Sequence, residues 1–144
     1  MIIYTIGFSG KSAEQFFTLL RESGTRRILD IRLNPAGQLS GFAKARDLPY
    51  FLKALCGIDY VYLPDFAPSA ALLSGYRQAT IDWPGYERIY RHEMETRAAE
   101  QRVSPDLLDG GCLLCSEALP GQCHRRLAAE YLSEFTPGLV VVHL

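Results

Sequence analysis

IIYTIGFSGKSAEQFFTLLRESG, residues 2–24, holds one complete unit of the fold. Its first five residues are apolar or β-branched, the composition of a strand buried on both faces. Gly7, Ser9 and Gly10 end that run. Ser12 then stands as a helix N-cap with Gln15 three positions on, and Ala13, Phe16, Phe17 and Leu20 fall on one helical face that stops at Gly24. The order is strand, turn, helix, and whether it recurs decides the architecture.

It recurs. RILDIR (27–32) reads as a second strand, followed by a turn-rich loop from Asn34 to Gly41 and an apolar-periodic helix ending at Gly57. DYVYL (59–63) is a third strand and GCLLC (111–115) a fourth. Residues from about 123 to 135 predict a helix with Leu127, Ala128, Tyr131, Leu132 and Phe135 inward, and LVVVHL (139–144) closes the chain as a fifth strand. The stretch 64–84 is aromatic and proline-bearing without periodicity, which predicts an irregular lid or binding loop. After it, Tyr86, Ile89, Tyr90 and Met94 form an apolar stripe on a helix whose other face carries Arg88, Arg91, His92 and Glu95. Strands hydrophobic on both faces that alternate with helices predict an α/β fold: a three-layer Rossmann-like domain with a mostly parallel five-stranded sheet flanked by helices. At 144 residues and 48% hydrophobic, the chain suits a single domain, 1–144.

The net charge of -1 gives no global positive field to hold nucleic acid or an anionic membrane, so any anion must be recognised locally. The opening residues lack a basic region, and no apolar stretch approaches a membrane span. The expectation is a cytoplasmic protein without a membrane partner, whose four cysteines are reduced thiols.

In an open parallel sheet, ligands bind beyond the carboxyl ends of the strands, where loops lead into helix N-termini that carry positive partial charge. The polar groups expected there are Ser9 after strand one, Asp30, Arg32 and Asn34 at strand two, Asp65 after strand three, and Cys115 and Glu117 at strand four. His143, at the tail of strand five, belongs to the same edge.

CLLCSEALPGQCHRR (112–126) is the densest chemical segment. On an extended strand, positions three apart face opposite sides, so Cys112 and Cys115 cannot share a tetrahedral ion, and neither metal nor cofactor is expected. Cys123 stands where the last helix begins, with His124 and Arg125 following, and helix N–H groups and adjacent cations favour a thiolate there. Cys115 faces the same loop. The alternative is that Cys112 and Cys115 are small buried hydrophobes and that Arg125 pairs with Glu117. A strand, a cysteine and an arginine at a helix start also suggest cysteine phosphatases and rhodanese-like sulfurtransferases. Glu117 and Pro120 argue against that likeness, since a carboxylate repels a phosphate dianion and proline removes an amide donor.

Leu114-Cys115 with Glu117, then Cys123-His124-Arg125, resembles the signature of the bacterial and archaeal family called domain of unknown function 488. Thr5-Ile6-Gly7 with Ser9, Asp30-x-Arg32 with Pro35, and a closing Val142-His143 match it in the same order. The resemblance covers the whole chain and implies an α/β fold with a polar site built from these motifs; it supplies no settled reaction. Two positions depart from the pattern. Phe8 stands where the family often has histidine, and Asp65-Phe66-Ala67-Pro68 replaces a Leu-Gly-Gly turn.

The leading expectation is an enzyme, or an enzyme-derived domain, that binds a small anionic ligand. Cys115, Glu117 and Cys123 are the candidate catalytic groups, a thiol as nucleophile and Glu117 as general base or orienting group. Ser9, Asp30, Arg32, His124 and Arg125 are the candidate ligand-binding groups, the two arginines gripping oxygens by charge-assisted hydrogen bonds. On that reading Arg32→Ala and Glu117→Gln abolish binding or activity without loss of stability. Two readings from other classes stand beside it. Cys115 and Cys123 could form a redox-responsive dithiol, provided their Cα atoms lie within about 7 Å. Tyr76, Arg77, Trp83 and Tyr86 in the 64–86 stretch could stack on nucleic-acid bases, against which the near-zero net charge weighs. The sequence gives no sign of an oligomeric state.

Overall fold

Ile2–Gly7 (β1), Arg27–Asp30 (β2), Asp59–Tyr62 (β3), Gly111–Cys115 (β4) and Val140–His143 (β5) make one sheet in the order β3-β2-β4-β1-β5. Every pairing in it is parallel, so the sheet expected to be mostly parallel is wholly so. The structure is a computed structural model and describes residues 1–37, 40–117 and 120–144. Gln38 and Leu39 of the expected 34–41 loop, and Ala118 and Leu119 beyond Glu117, lie outside the described residues.

Parallel strands need crossovers, and these supply the outer layers. On one side, Phe16, Phe17 and Leu20 of α1 (Ala13–Ser23) and Leu48 and Leu52 of α2 (Leu48–Cys56) pack on Ile6, Ile28, Cys112 and Leu114. The expected capping box at Ser12 and Gln15 starts α1, and Gly24, at φ 88°, ends it. On the other side, Tyr86, Tyr90 and Met94 of α4 (Trp83–Arg97) and Leu127, Ala128 and Leu132 of α6 (His124–Phe135) cover Ile3, Leu29, Ile31 and Leu113. The result is a three-layer α/β domain. Along β4 the pleat sends Cys112 and Leu114 to the first side and Leu113 to the second. Cys115, three residues from Cys112, points toward α6, as the alternation requires.

The stretch 64–84 departs from the irregular loop expected of it. Pro64–Phe66 is a 3₁₀ turn, Ala70–Arg77 is a helix (α3), and α4 begins at Trp83. Ser69 caps α3 by accepting from the Leu72 N–H, and Asp82 caps α4 by accepting from that of Gly85. An eight-residue helix in which only Leu72 is buried has no stripe to reveal its period. The segment is tied down at its base. The buried Tyr90 hydroxyl donates to the Phe66 carbonyl at 2.7 Å, and Arg97 Nη1 donates to the carbonyls of Asp65 and Ala67 at 2.8 and 2.7 Å.

Two smaller differences follow from packing. Ile89, expected in the α4 stripe, is 38% exposed, because a four-residue step through Tyr86, Tyr90 and Met94 alone reaches the core. A 3₁₀ turn at Ala99–Arg102 and a short helix (α5, Pro105–Leu108) precede β4 where no element was expected. Among the described residues no helix is long and apolar enough to cross a membrane.

The strand order also places a crevice. The crossovers from β1 to β2 and β2 to β3 run over the α1–α2 side, and those from β3 to β4 and β4 to β5 return over the other. β1 and β4 are neighbours whose chains leave toward opposite faces, so their carboxyl ends part.

Candidate functional site

A cleft of about 640 Å³ opens at that point, within the size range of small-molecule sites. Phe8, Ser9 and Gly10 line it from the end of β1, Arg32, Leu33 and Asn34 from β2, Cys115, Ser116 and Glu117 from β4, and Cys123 and His124 from the start of α6. The Ser9 N–H donates to the Ser116 carbonyl at 2.9 Å and joins the first and fourth loops. Gly7 is required just below. A Cβ on it would overlap the Glu117 carbonyl oxygen and Arg125 Nη1, so only glycine lets the β4–α6 loop cross there.

The thiol cluster forms where that loop returns. Cys123 is the N-cap residue of α6, and its sulfur lies at disulfide distance from that of Cys115, with Cα atoms 7.6 Å apart. That separation is slightly wider than the limit of about 7 Å set for a dithiol from the sequence. Ligand atoms of Cys115, Cys123 and His124 all lie within 4.8 Å of one another. The expectation of no metal rested on Cys112 and Cys115, and those two do face opposite layers. It did not reach this second set, which the fold assembles across eight positions of chain.

His124 Nε2 lies 2.8 Å from the Ile31 carbonyl. A carbonyl only accepts, so Nε2 carries the hydrogen and the lone pair rests on Nδ1. Desolvation, with Arg125 adding to it, lowers the imidazole pKa to about 4, which keeps the ring neutral at neutral pH. His124 is therefore a held, half-buried group.

Arg125 is wholly buried and lies behind Cys115, outside the cleft lining. Its Nη1 donates to the Cys115 sulfur at 3.5 Å and to the Glu117 carbonyl. The guanidinium thus faces the peptide oxygen of Glu117, while the exposed Glu117 side chain lines the cleft. Burial lowers the arginine's pKa from its ordinary value, and it remains a cation at any ordinary pH. Its place suits it to stabilise negative charge on Cys115 rather than to clasp a ligand.

Arg32 and Asp30 are held to each other. Arg32 Nε and Nη2 each donate to the Asp30 carboxylate at 2.8 Å, Nη1 donates to the Ala43 carbonyl at 2.6 Å, and the Tyr60 hydroxyl donates to the same carboxylate. Arg32 reaches the cleft as part of its floor, over the Phe8 ring at 5.5 Å. Burial and the Asp30 charge raise the Tyr60 phenol above its ordinary pKa. Asp65 lies in the 3₁₀ turn after β3 and does not line the cleft. His143 is exposed and bonds Thr5 Oγ1 through Nδ1 at 2.6 Å, also outside the cleft lining.

The aromatic residues considered for base stacking form the opposite wall. Trp83 stacks on Tyr86 with centroids 4.9 Å apart, and Tyr76 packs on both. Tyr76 also donates from its hydroxyl to Gln122 Oε1 at 3.1 Å, which joins α3 to the β4–α6 loop. Ser116 and Gln122 were missed from the sequence. Ser116 carried a signal, as the first polar residue past a buried strand; Gln122, in mid-loop, carried none.

A three-layer α/β domain with two paired cysteines, an imidazole and a buried arginine at the switch point of a parallel sheet is the class these features define. The chain belongs to the family described as domain of unknown function DUF488, whose sequence model matches residues 12–132. No curated protein and no solved structure matches it.

Proposed function

We propose that this protein is an enzyme, or an enzyme-derived binding domain, that receives a small anionic ligand in the cleft between the ends of β1 and β4. The observation that carries this reading is the convergence of Cys115, Cys123 and His124 on the cleft wall, with the Arg125 guanidinium behind Cys115. Cysteines usually pack as inert hydrophobes, whereas these two, their sulfurs at disulfide distance, share a polar pocket with a cation and a helix N-terminus. The α6 N-terminus supports the anion's charge, Ser9 and Asn34 offer hydrogen bonds, and Trp83 and Tyr86 give a flat wall for a planar ligand. Cys115 or Cys123 is the nucleophile in this scheme, with Glu117 taking or holding a proton at the cleft mouth.

Trp83 is the chain's only tryptophan and lines the cleft, so its fluorescence reports occupancy. Titration of the reduced protein with a nucleoside monophosphate and with an aryl carboxylate should change the emission saturably for at least one probe, and Cys123→Ser should weaken that response. No saturable change with either anion, or an equal response to their uncharged analogues, removes the anion reading.

A second reading is favoured by one observation, the Cys115 and Cys123 sulfurs at disulfide distance. Two thiols would pass two electrons to an external disulfide or peroxide, release two protons and join as Cys115–Cys123. Mass spectrometry after mild oxidation should find a loss of two hydrogens on a peptide pair spanning those positions. Oxidation that leaves both thiols unlinked while exposed thiols convert eliminates the dithiol.

A further inference from the structure

We infer that the reduced protein binds one zinc-class divalent cation through the Cys115 and Cys123 thiolates and the His124 imidazole, with a fourth position open to the cleft. Two sulfurs and one nitrogen are a zinc-type donor set, and sites with three protein ligands leave the fourth place for water or substrate. All three residues line the cleft, so that fourth place faces it.

Three features of the surroundings argue for an ion rather than chance proximity. The first is the imidazole. Metal-bound histidines almost always give their other ring N–H to a carbonyl or carboxylate, and His124 Nε2 donates to the Ile31 carbonyl at 2.8 Å, which assigns Nδ1 to the ion. The second is spacing. Disulfides usually span about 4.4–6.8 Å between Cα atoms, and here they stand 7.6 Å apart. Two thiolates about 2.3 Å from one tetrahedral ion are about 3.8 Å from each other, so the sulfurs, at disulfide distance here, must part on reduction, and a Cα separation wider than a disulfide's gives them room to do so. The third is charge. Two thiolates and a neutral imidazole balance a divalent ion, and the buried Arg125, with Nη1 3.5 Å from the Cys115 sulfur, places a cation beside one of those thiolates. The α6 N-terminus brings positive partial charge to the same place, so an anion or hydroxide is the favoured fourth ligand.

Binding needs no oxidant or reductant: the two thiols lose two protons to solvent as two metal–sulfur bonds form. The inference deepens the anion-binding reading by naming the anion's counter-charge. It rests on that reading only for the occupant of the fourth position.

The test is cobalt(II) added to the full-length, reduced, chelator-treated protein, followed by displacement with zinc. The expected result is one equivalent bound, with a thiolate-to-cobalt charge-transfer band and the intense visible bands of tetrahedral cobalt. Cys123→Ser is the informative variant, because serine is itself a preferred N-cap and keeps α6 started while removing a thiolate. It should weaken zinc binding by at least about tenfold, the smallest loss seen even for changes around a metal site, and His124→Asn should do the same. Cys56→Ser, outside the cluster, should leave it unchanged. Zinc held no more tightly than by the Cys115→Ser/Cys123→Ser double variant, or a pale octahedral cobalt spectrum, overturns the inference. Azide added to the cobalt form should shift its visible bands. Bound metal without that shift overturns the open position and the anion's place on the ion, while leaving the three-residue site standing.

Discussion

Arg32 commits both edges of its guanidinium to one carboxylate, with Nε and Nη2 each 2.8 Å from Asp30, and the two side chains are 2% and 0% exposed. Breaking a buried pair from one side leaves an uncompensated charge, so Asp30→Asn should destabilise the fold by about 3–5 kcal/mol. Tyr60→Phe removes one hydrogen bond to the same carboxylate and should lose about 1.5–3 kcal/mol. Urea denaturation of the two variants ranks them; equal and small losses would show that the pair contributes little to stability.

Arg32→Ala follows from the same geometry. The sequence alone suggested that this change and Glu117→Gln would both spare stability. The pairing with Asp30 now separates them: Arg32→Ala should lower the melting temperature markedly, while Glu117→Gln, at an exposed side chain, should stay within about 0.5 kcal/mol. Thermal melts of both proteins decide it.

Gly7→Ala should be among the most damaging single-methyl additions in the chain. The methyl would overlap the Glu117 carbonyl and the Arg125 guanidinium, so loop and helix must shift, at a cost of about 1–3 kcal/mol or more. Gly121→Ala, with open space around it, should stay within about 0.5 kcal/mol. Similar urea midpoints for the two variants would contradict the crossing described for Gly7.

The inferred zinc site should shield its own thiols. In chelator-treated, reduced protein, iodoacetamide should reach Cys115 and Cys123 through the cleft they line, more slowly than Cys56 because they are only 1% and 3% exposed. One equivalent of zinc should protect both while leaving Cys56 as reactive as before. Peptide-resolved mass spectrometry reads all three positions. Cys112, fully buried with its thiol pKa pushed up by desolvation, should remain unmodified throughout.

His143 sets a pH dependence whose sign is defined. Desolvation, with Arg125 next, lowers its pKa below the ordinary value of 6.5, so the folded state binds the proton less readily than the unfolded chain. Its contribution to stability is complete above about 6.5 and is lost as pH falls below that value. His143→Gln should therefore flatten part of the decline in melting temperature between about pH 7.5 and 5.5; an unchanged slope would assign that decline to other groups.

Much of the architecture was legible because it is written in local pattern. Ser12 and Gln15 announce a helix start, GCLLC is apolar enough to be buried on both faces, and strands alternating with helices leave few topologies. What escaped was short or assembled from distant parts. Helix α3 buries only Leu72 and so has no period to read. The site residues expected at strand ends do come to one edge, yet their partners are not a matter of spacing. Arg125 passes behind Cys115 because Gly7 admits the loop, and Arg32 turns back to Asp30 two residues earlier in the chain. The Cys115, Cys123 and His124 grouping depends on a loop closing over eight positions, which no periodicity encodes.

The strand order also bears on how the chain is made. β4 lies between β1 and β2, which do not pair with each other, so these two earlier segments hold the two sides of the sheet without the strand that joins them. Closure waits for residues 111–115, which follow the end of β2 by about eighty positions. Until then Ile6, Ile28 and the apolar face of α1 have no complete partner and are open to chaperones and to aggregation. Cys115 arrives with that last central strand and Cys123 shortly after it. The two cysteines therefore meet only once the central strand is in place, and any ion or oxidant that reaches them there is selected by a built cleft.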